Sequence, residues 1–238
     1  QAIAQQLVPI YEPLFSEGSY GYRPGRSGQD AIYKIRGYAE DGYEWAVLLD
    51  LSKYFDTLNH EKLLNQLRKE IKDERVIQLV KRFLKSGVME NGVVMATEEG
   101  SPQGGPLSPL LANIYLNEFD HEYEGRGVPV VRYADDIVLL CKSKRAAERL
   151  LESSTRYLEG KQKLKVNRDK SHIAKVNATK KFKFLGFAFR KYKEDVLIRV
   201  HPKSLKKAKA KLHELTRRNQ GRNVRQDMEK QKLFMQGW

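Results

Sequence analysis

The sequence predicts an α+β domain in which an antiparallel sheet is backed by helices packed on one of its faces. Three observations predict it. Short apolar strand-like runs alternate with amphipathic helical stretches, in the order strand, helix, hairpin, helix. Two neighbouring pairs of apolar runs are joined closely enough to read as hairpins. No internal repeat and no long low-complexity linker divides the 238 residues, so one large domain with a substantial core accounts for the chain.

Each element follows from local pattern. The chain opens inside a helical stretch, "QAIAQQLVPIYEPLF". "EWAVLLDLSKYFD" starts as an apolar strand at 45 to 51 and leaves it at Ser52. After "NHEKLLNQLRKEI" comes "DERVIQLVKRFLKSG", where Val76, Ile77, Val80, Phe83 and Leu84 recur at helical spacing between an Asp73 cap and a Gly87 stop. "GVMENGVVMAT" carries Asn91-Gly92 between short apolar runs, a strong hairpin signal. Ser108-Pro109 then opens a helix with Leu110, Leu111, Ile114, Tyr115 and Phe119 on one face. "VPVVRYADDIVLLCKS", 128 to 143, is the second hairpin, with Asp135 and Asp136 at or beside its turn. "KRAAERLLESSTRYLEG" is an amphipathic helix ended by Gly160. Strand-like pieces follow in "KLKVN", "KFKFLGFAF" and "VLIRV", and helices close the chain. The start in mid-helix and the stop at "FMQGW" predict a piece of a longer protein.

Composition narrows the class. Hydrophobic residues make up 40%, so the chain is globular, and no apolar run approaches the 18 or more residues of a membrane span. No signal-peptide pattern opens it, and the lone Cys141 excludes an intramolecular disulfide framework and a cysteine-based zinc site. A cytoplasmic protein without a membrane partner is the simplest inference. The net charge of +14 is unevenly spread: residues 1–160 hold 20 Lys+Arg against 24 Asp+Glu, and residues 161–238 hold 24 against 6. A local excess of +18 points to a polyanion, of which nucleic acid is the commonest. The bland alternative, a solvated lysine-rich face on "PKSLKKAKAKLHELTRRN", does not cover the basic strands that precede it.

Asp135 and Asp136 need explaining. Two carboxylates about 4 Å apart repel by roughly 4 kcal/mol at an effective dielectric near 20, equivalent to about three pKa units. A shared proton or a nearby cation offsets this, and a divalent metal does so most strongly. An exposed Asp-Asp turn is the alternative. Asp50, at the C-terminal edge of "AVLLD", becomes a third carboxylate if its strand lies beside the hairpin. Three such groups make a hard-oxygen set suited to Mg²⁺, and paired Mg²⁺ ions serve in-line phosphoryl transfer.

"YADD" in a hairpin, "DLSKYFD" upstream, "SPQGGPLSPLLANIYL" between them, and "LKVNRDKS" and "FLGF" downstream resemble reverse transcriptase motifs, in that family's order. "GYRPGRSGQDAI" and "GVMENGVVMATEEGSPQGGPLSP" are similar to the group II intron-encoded variety, and the resemblance spans nearly the whole chain. It implies a polymerase right-hand palm whose antiparallel sheet is backed by helices, with a partial, mostly helical fingers region. Residues 1–238 would form a single fingers-palm domain, with 201–238 as basic helices leading towards a missing thumb. Its implied cofactor is Mg²⁺, two ions, with Mn²⁺ as the substitute. Its implied partners are group II intron RNA, an RNA template with a DNA primer, and dNTPs, with a homodimer left open.

Carried over residue by residue, the resemblance makes Asp50, Asp135 and Asp136 catalytic metal ligands, with the Leu51 carbonyl as a further ligand. Phe55 matches the position packed under the incoming sugar, where a bulky ring crowds a 2′-hydroxyl; it reads equally as a core aromatic. Gln103 and Gly104, in a glycine-rich loop before a helix, match nucleotide contacts, with a structural turn as the alternative. Lys170 in "NRDKS" matches a lysine that protonates or neutralises the departing pyrophosphate. Arg23 and Arg26 in "GYRPGRS" are expected on backbone phosphates or template, against surface ion pairs. Leu185 and Gly186 resemble the primer-gripping turn, against a strand kink, and Lys206, Lys207, Lys209 and Lys211 are expected along the nucleic-acid path. Asp56 reads as a brace of the fold, and the five histidines lack metal-ligand spacing.

The resemblance implies an RNA-directed DNA polymerase of a group II intron, whose parent also binds intron RNA as a splicing maturase. A non-catalytic RNA-binding scaffold with a polymerase fold is the rival of another class. A scaffold has no reason to gather three repelling carboxylates. Another reverse transcriptase class, such as a retron enzyme, shares the metal site, but Phe55 and the intron-type segments argue against it.

Overall fold

The apolar run after Glu44 has no polar face. Ala46 through Leu49 are all buried, so the strand they form, β1 (Trp45–Leu49), must be covered on both sides. That requirement organises the molecule, whose residues 1–85, 88–90, 93–95, 105, 107–193, 195–217 and 224–237 are described by a computed structural model.

Before β1 lie α1 (Ala2–Tyr11) and α2 (Gly28–Glu40). After it come α3 (His60–Glu70), α4 (Glu74–Lys85), the short strands β2 (Val88–Glu90) and β3 (Val93–Met95), and α5 (Ser108–Gly125). The hairpin strands are β4 (Val130–Tyr133) and β5 (Asp136–Cys141), followed by α6 (Lys144–Gly160) and β6 (His172–Lys175). A second ribbon, β7 (Phe187–Tyr192) and β8 (Asp195–Val200), leads to α7 (Pro202–Leu215) and α8 (Val224–Gly237).

Local chemistry accounts for the boundaries. A capping box starts α2: Ser27 Oγ accepts the Asp30 N–H at 3.2 Å while the Asp30 carboxylate accepts the Ser27 N–H at 2.8 Å. The Asp73 carboxylate accepts the Arg75 N–H at 2.9 Å at the start of α4. Gly87 and the Asn91-Gly92 pair lie outside the described residues, but β2 and β3 pair antiparallel with Glu90 opposite Val93.

The main sheet has the order β4-β5-β1-β6, antiparallel throughout, with Leu49 opposite Ile137 and Val47 opposite Ile173. Alternation along β1 divides the core. Val47 and Leu49 join Ile137, Leu139 and the apolar faces of α1, α3, α4, α5 and α6. Ala46 and Leu48 join Val138, Leu140, Ala31 and Ile35 of α2, and Phe182 and Phe189. The expectation of helices on one face is therefore corrected: α2 and the β7–β8 ribbon cover the other, because β1 and β5 are apolar on both sides. Two strand-like pieces also differ. "KLKVN" contributes only the bridge from Val166 to Leu51, and "KFKFLGFAF" is broken by a turn before β7. Among the described residues no helix is long and apolar enough to cross a membrane.

Candidate active site

Two separate stretches of chain deliver carboxylates to one end of the sheet. The register that sets Leu49 opposite Ile137 places Asp50, one step on, across from Asp136. The Asp50 backbone is clamped from both sides: its N–H donates to Ser171 Oγ at 3.0 Å and its carbonyl accepts the Asn167 N–H at 2.8 Å. The "NRDKS" segment thus wraps the end of β1 and brings Lys170 with it, Nζ standing 3.6 Å from Asp50 Oδ1.

The other two aspartates come from the β4–β5 connection. Tyr133 pairs with Asp136, leaving Ala134 and Asp135 as a two-residue turn in which Ala134 is left-handed at φ +56°. Arg132, wholly buried beneath this turn, holds it: Nη1 donates to the Ala134 carbonyl at 3.0 Å and to Asn113 Oδ1 at 2.9 Å, and Nη2 donates to Ser19 Oγ at 2.9 Å. Asp120, equally buried in α5, supplies the counter-charge through three hydrogen bonds at 2.6 to 2.9 Å.

The carboxylates feel one another. Burial first, then the charge of Asp50, raises the Asp135 carboxyl above its ordinary value. Asp136 keeps a face open to solvent, yet the protein crowded behind it and the charges of Asp135 and Asp50 push it up to about 6, against Lys183 and Lys170. The donor set fits a hard divalent cation: three carboxylates whose mutual repulsion two lysines leave uncompensated. Among the described residues no three Asp, Glu, His or Cys side chains are grouped so that they could hold a metal ion by themselves.

The remaining sequence-derived candidates fall into three groups. Some sit in bridges or tight turns of the chain. Leu51 is buried and bridged to Val166 beside Asp50. Phe55 is half-buried in the 3-10 turn Tyr54–Asp56, which left-handed Lys53 (φ +49°) turns out of the strand path; its ring lies 5.4 Å from that of Tyr54, and it also packs on the core. Leu185 and Gly186, at φ +47° and +88°, form a tight two-residue turn closed by reciprocal hydrogen bonds between Phe184 and Phe187, rather than a kink. Others lie on the surface. Lys206, Lys207 and Lys209 are exposed on α7, and Lys211 there pairs with Glu214 at 3.0 Å. Arg26 pairs with Glu17 at 2.6 Å on the surface. Gln103 and Gly104 lie outside the described residues.

Arg23 requires correction. Its side chain is 3% exposed, with Nη1 donating to the Ser16 and Ser19 carbonyls and Nη2 2.7 Å from Glu12 Oε1, so no face is free for a phosphate. Sequence reasoning also missed Arg132, Asp120, Asn113, Asn167 and Ser171. A signal existed for two of them: Arg132 is a lone charge in an apolar strand, and Asp120 recurs at helical spacing with Leu116 and Tyr123.

The chain is similar to known proteins in sequence and in fold. Residues 1–189 match the family model described as reverse transcriptase (RNA-dependent DNA polymerase). The chain is 37% identical over 224 residues to protein YkfC of Escherichia coli (strain K12), covering 78% of this chain and 58% of that protein. It is 38% identical over 177 residues to the group II intron-encoded protein LtrA of Lactococcus lactis subsp. cremoris, covering 70% of this chain and 28% of that protein. The chain thus spans only part of the length of these relatives. In fold it is similar to telomerase from Candida albicans, solved with a fragment of telomeric RNA, at a TM-score of 0.64 and 15% identity over 84% of this chain and 38% of that one.

Proposed function

Because the chain belongs to the reverse transcriptase (RNA-dependent DNA polymerase) family, we propose that it is the fingers-palm part of an RNA-directed DNA polymerase encoded by a group II intron. The parent would copy an RNA template onto a DNA primer from dNTPs, and would bind its intron RNA as a splicing maturase. One observation carries the polymerase reading. Asp50, Asp135 and Asp136, from two distant segments, converge at one sheet end with the Lys170 amine beside them.

The family uses divalent metal ions, and Asp50, Asp135 and Asp136, with the Leu51 carbonyl, would hold two, Mg²⁺ or Mn²⁺. Bound there, such ions would neutralise phosphate charge and make a hydroxyl a stronger nucleophile. The chain's own residues supply the rest. Asn167 and Ser171 hold the Asp50 backbone, and Arg132 holds the turn of Asp135. Lys170 offers a proton or counter-charge to departing pyrophosphate, its exposed side chain being free to swing from Asp50. Phe55 blocks space that a 2′-hydroxyl would need. Gln103 and Gly104 would contact the nucleotide, and Leu185 and Gly186 the primer. Arg26 and the α7 lysines would meet phosphates, and the LtrA relationship supports intron RNA as their partner. Primer extension with the full-length parent tests the reading, comparing dNTPs with rNTPs and Mg²⁺ with chelator. DNA synthesis that needs Mg²⁺ supports it, and none under any of these conditions overturns it.

A further inference from the structure

Past the end of β1 the chain gains a second partner. The Asn167 N–H donates to the Asp50 carbonyl and the Ser52 N–H donates to the Lys165 carbonyl, each at 2.8 Å, so that Leu51 and Val166 oppose each other in an antiparallel bridge. Both of these side chains are buried. Alternation therefore turns Asp50 and Ser52 on one segment, and Lys165 and Asn167 on the other, to the opposite side of the bridge. Lys165 stands directly across from Ser52 and diagonally from Asp50, a separation of about 7–8 Å that a long side chain can span.

Lys53 follows Ser52 and is left-handed at φ +49°, a conformation that costs an L-residue and that glycine adopts freely. Lys53 and Lys165 thus flank Ser52, one along the chain and one across the bridge, and both are exposed. Among the described residues neither ammonium has an ion-pair partner, although other lysines of this chain find one: Lys62 and Lys69 share Glu118 at 3.1 and 2.7 Å, and Lys170 stands 3.6 Å from Asp50. Backbone strain of this kind persists at functional sites. Two uncompensated cations beside a carboxylate, one of them on a strained backbone, fit an anion that arrives with the substrate.

We propose that the Lys53 and Lys165 side chains form an anion site that captures the triphosphate tail of the incoming nucleotide. The inference rests on the polymerase reading above and adds two side chains to it. A triphosphate is the fitting ligand because its charge is multiple and compact, and lysine binds phosphate as a point charge that needs no fixed geometry. Lys53 also opens the 3-10 turn that carries Phe55, so one local element would meet both the sugar and its phosphates. A nucleic-acid strand fits less well, since laid across Ser52 it would take the nucleotide's own place beside Asp50.

The test uses the full-length protein and inorganic tripolyphosphate, titrated by calorimetry in EDTA so that binding is read without metal or chemistry. K165Q and K53G should each bind it about 5- to 10-fold more weakly. K165R should retain binding, and K144Q, which removes an exposed lysine paired with Glu148, should leave it unchanged. K53G should show a Tm equal to or above that of the unmodified protein, since glycine relieves the left-handed backbone; loss of a merely structural lysine would lower it. In single-nucleotide insertion, K165Q should raise KM for the dNTP by the same factor with kcat little changed, and should bind primer–template normally. Unchanged tripolyphosphate binding by K165Q and K53G, or an equal loss of primer–template affinity, would overturn the anion site while leaving the polymerase reading intact. Lys165-dependent binding in a protein that synthesises no DNA would overturn the polymerase reading and, with it, the assignment of the anion as a nucleotide.

Discussion

Arg132 and Asp120, both wholly buried, are joined by three hydrogen bonds, Nε to Oδ1 at 2.9 Å, Nε to Oδ2 at 2.8 Å and Nη2 to Oδ2 at 2.6 Å. The pair ties α5 to β4, and one of the remaining guanidinium donors reaches the Ala134 carbonyl in the turn that presents Asp135. Buried ion pairs are poor sources of net stability, but breaking one strands a charge in the core. Asp120→Ala should therefore cost about 3–5 kcal/mol in urea denaturation. Replacing both partners, Asp120→Leu with Arg132→Met, should recover most of that stability and little of the primer extension, since the Ala134 carbonyl loses its donor. Extension restored along with stability would reduce Arg132 to a core residue.

Asp135→Asn should lower primer extension by the parent at least about a thousandfold, the loss expected when several kcal/mol of transition-state charge stabilisation disappears. RNA binding should persist, because the basic surface lies elsewhere. Near-normal extension by this variant would refute the carboxylate assignment.

Phe55→Val or Phe55→Ala should weaken the preference for dNTPs over rNTPs by about tenfold or more, because the volume that crowds a 2′-hydroxyl shrinks. Single-nucleotide insertion measures it. An unchanged preference would leave Phe55 as the core contact it also makes with Tyr54.

Changing Lys206, Lys207, Lys209 and Lys211 to Gln should flatten the salt dependence of RNA binding. Each phosphate neutralised on a single strand contributes about −0.7 to the slope of log K against log salt, so four lysines alter it by up to about 3. Lys211, already paired with Glu214, should contribute least. An identical slope in the variant would mean that the α7 face is merely solvated.

His201 predicts a pH dependence for the docking of α7. Its buried ring caps the helix, with Nδ1 accepting the Lys203 N–H at 3.1 Å, and burial lowers its pKa below the usual 6.5. The unfolded chain then takes up the proton first as pH falls. The contribution is complete above about pH 6.5 and is lost progressively below it. The difference between urea midpoints at pH 7.5 and 5.5 should change in His201→Asn, which keeps a capping side chain without the titration; a difference identical to that of the unmodified protein would refute the assignment.

The sequence by itself determined most of the secondary elements and the family to which the chain belongs. Helical spacing marked α4, α5 and α6, an apolar run marked β1, and "YADD", "DLSKYFD" and "NRDKS" marked the carboxylates and Lys170, because these signals are local in the chain. Only the tertiary structure decided which side chains face inward and what holds the aspartates in place. Arg23 and Arg26 stand three residues apart in one basic motif, yet the first is sealed against Glu12 and the second lies on the surface. Arg132 finds Asp120 from twelve residues away, and Ser171 reaches Asp50 across 121. The physical reason is that a buried charge or backbone amide is satisfied by whatever the fold brings near it, and partners so distant along the chain leave no periodicity to read.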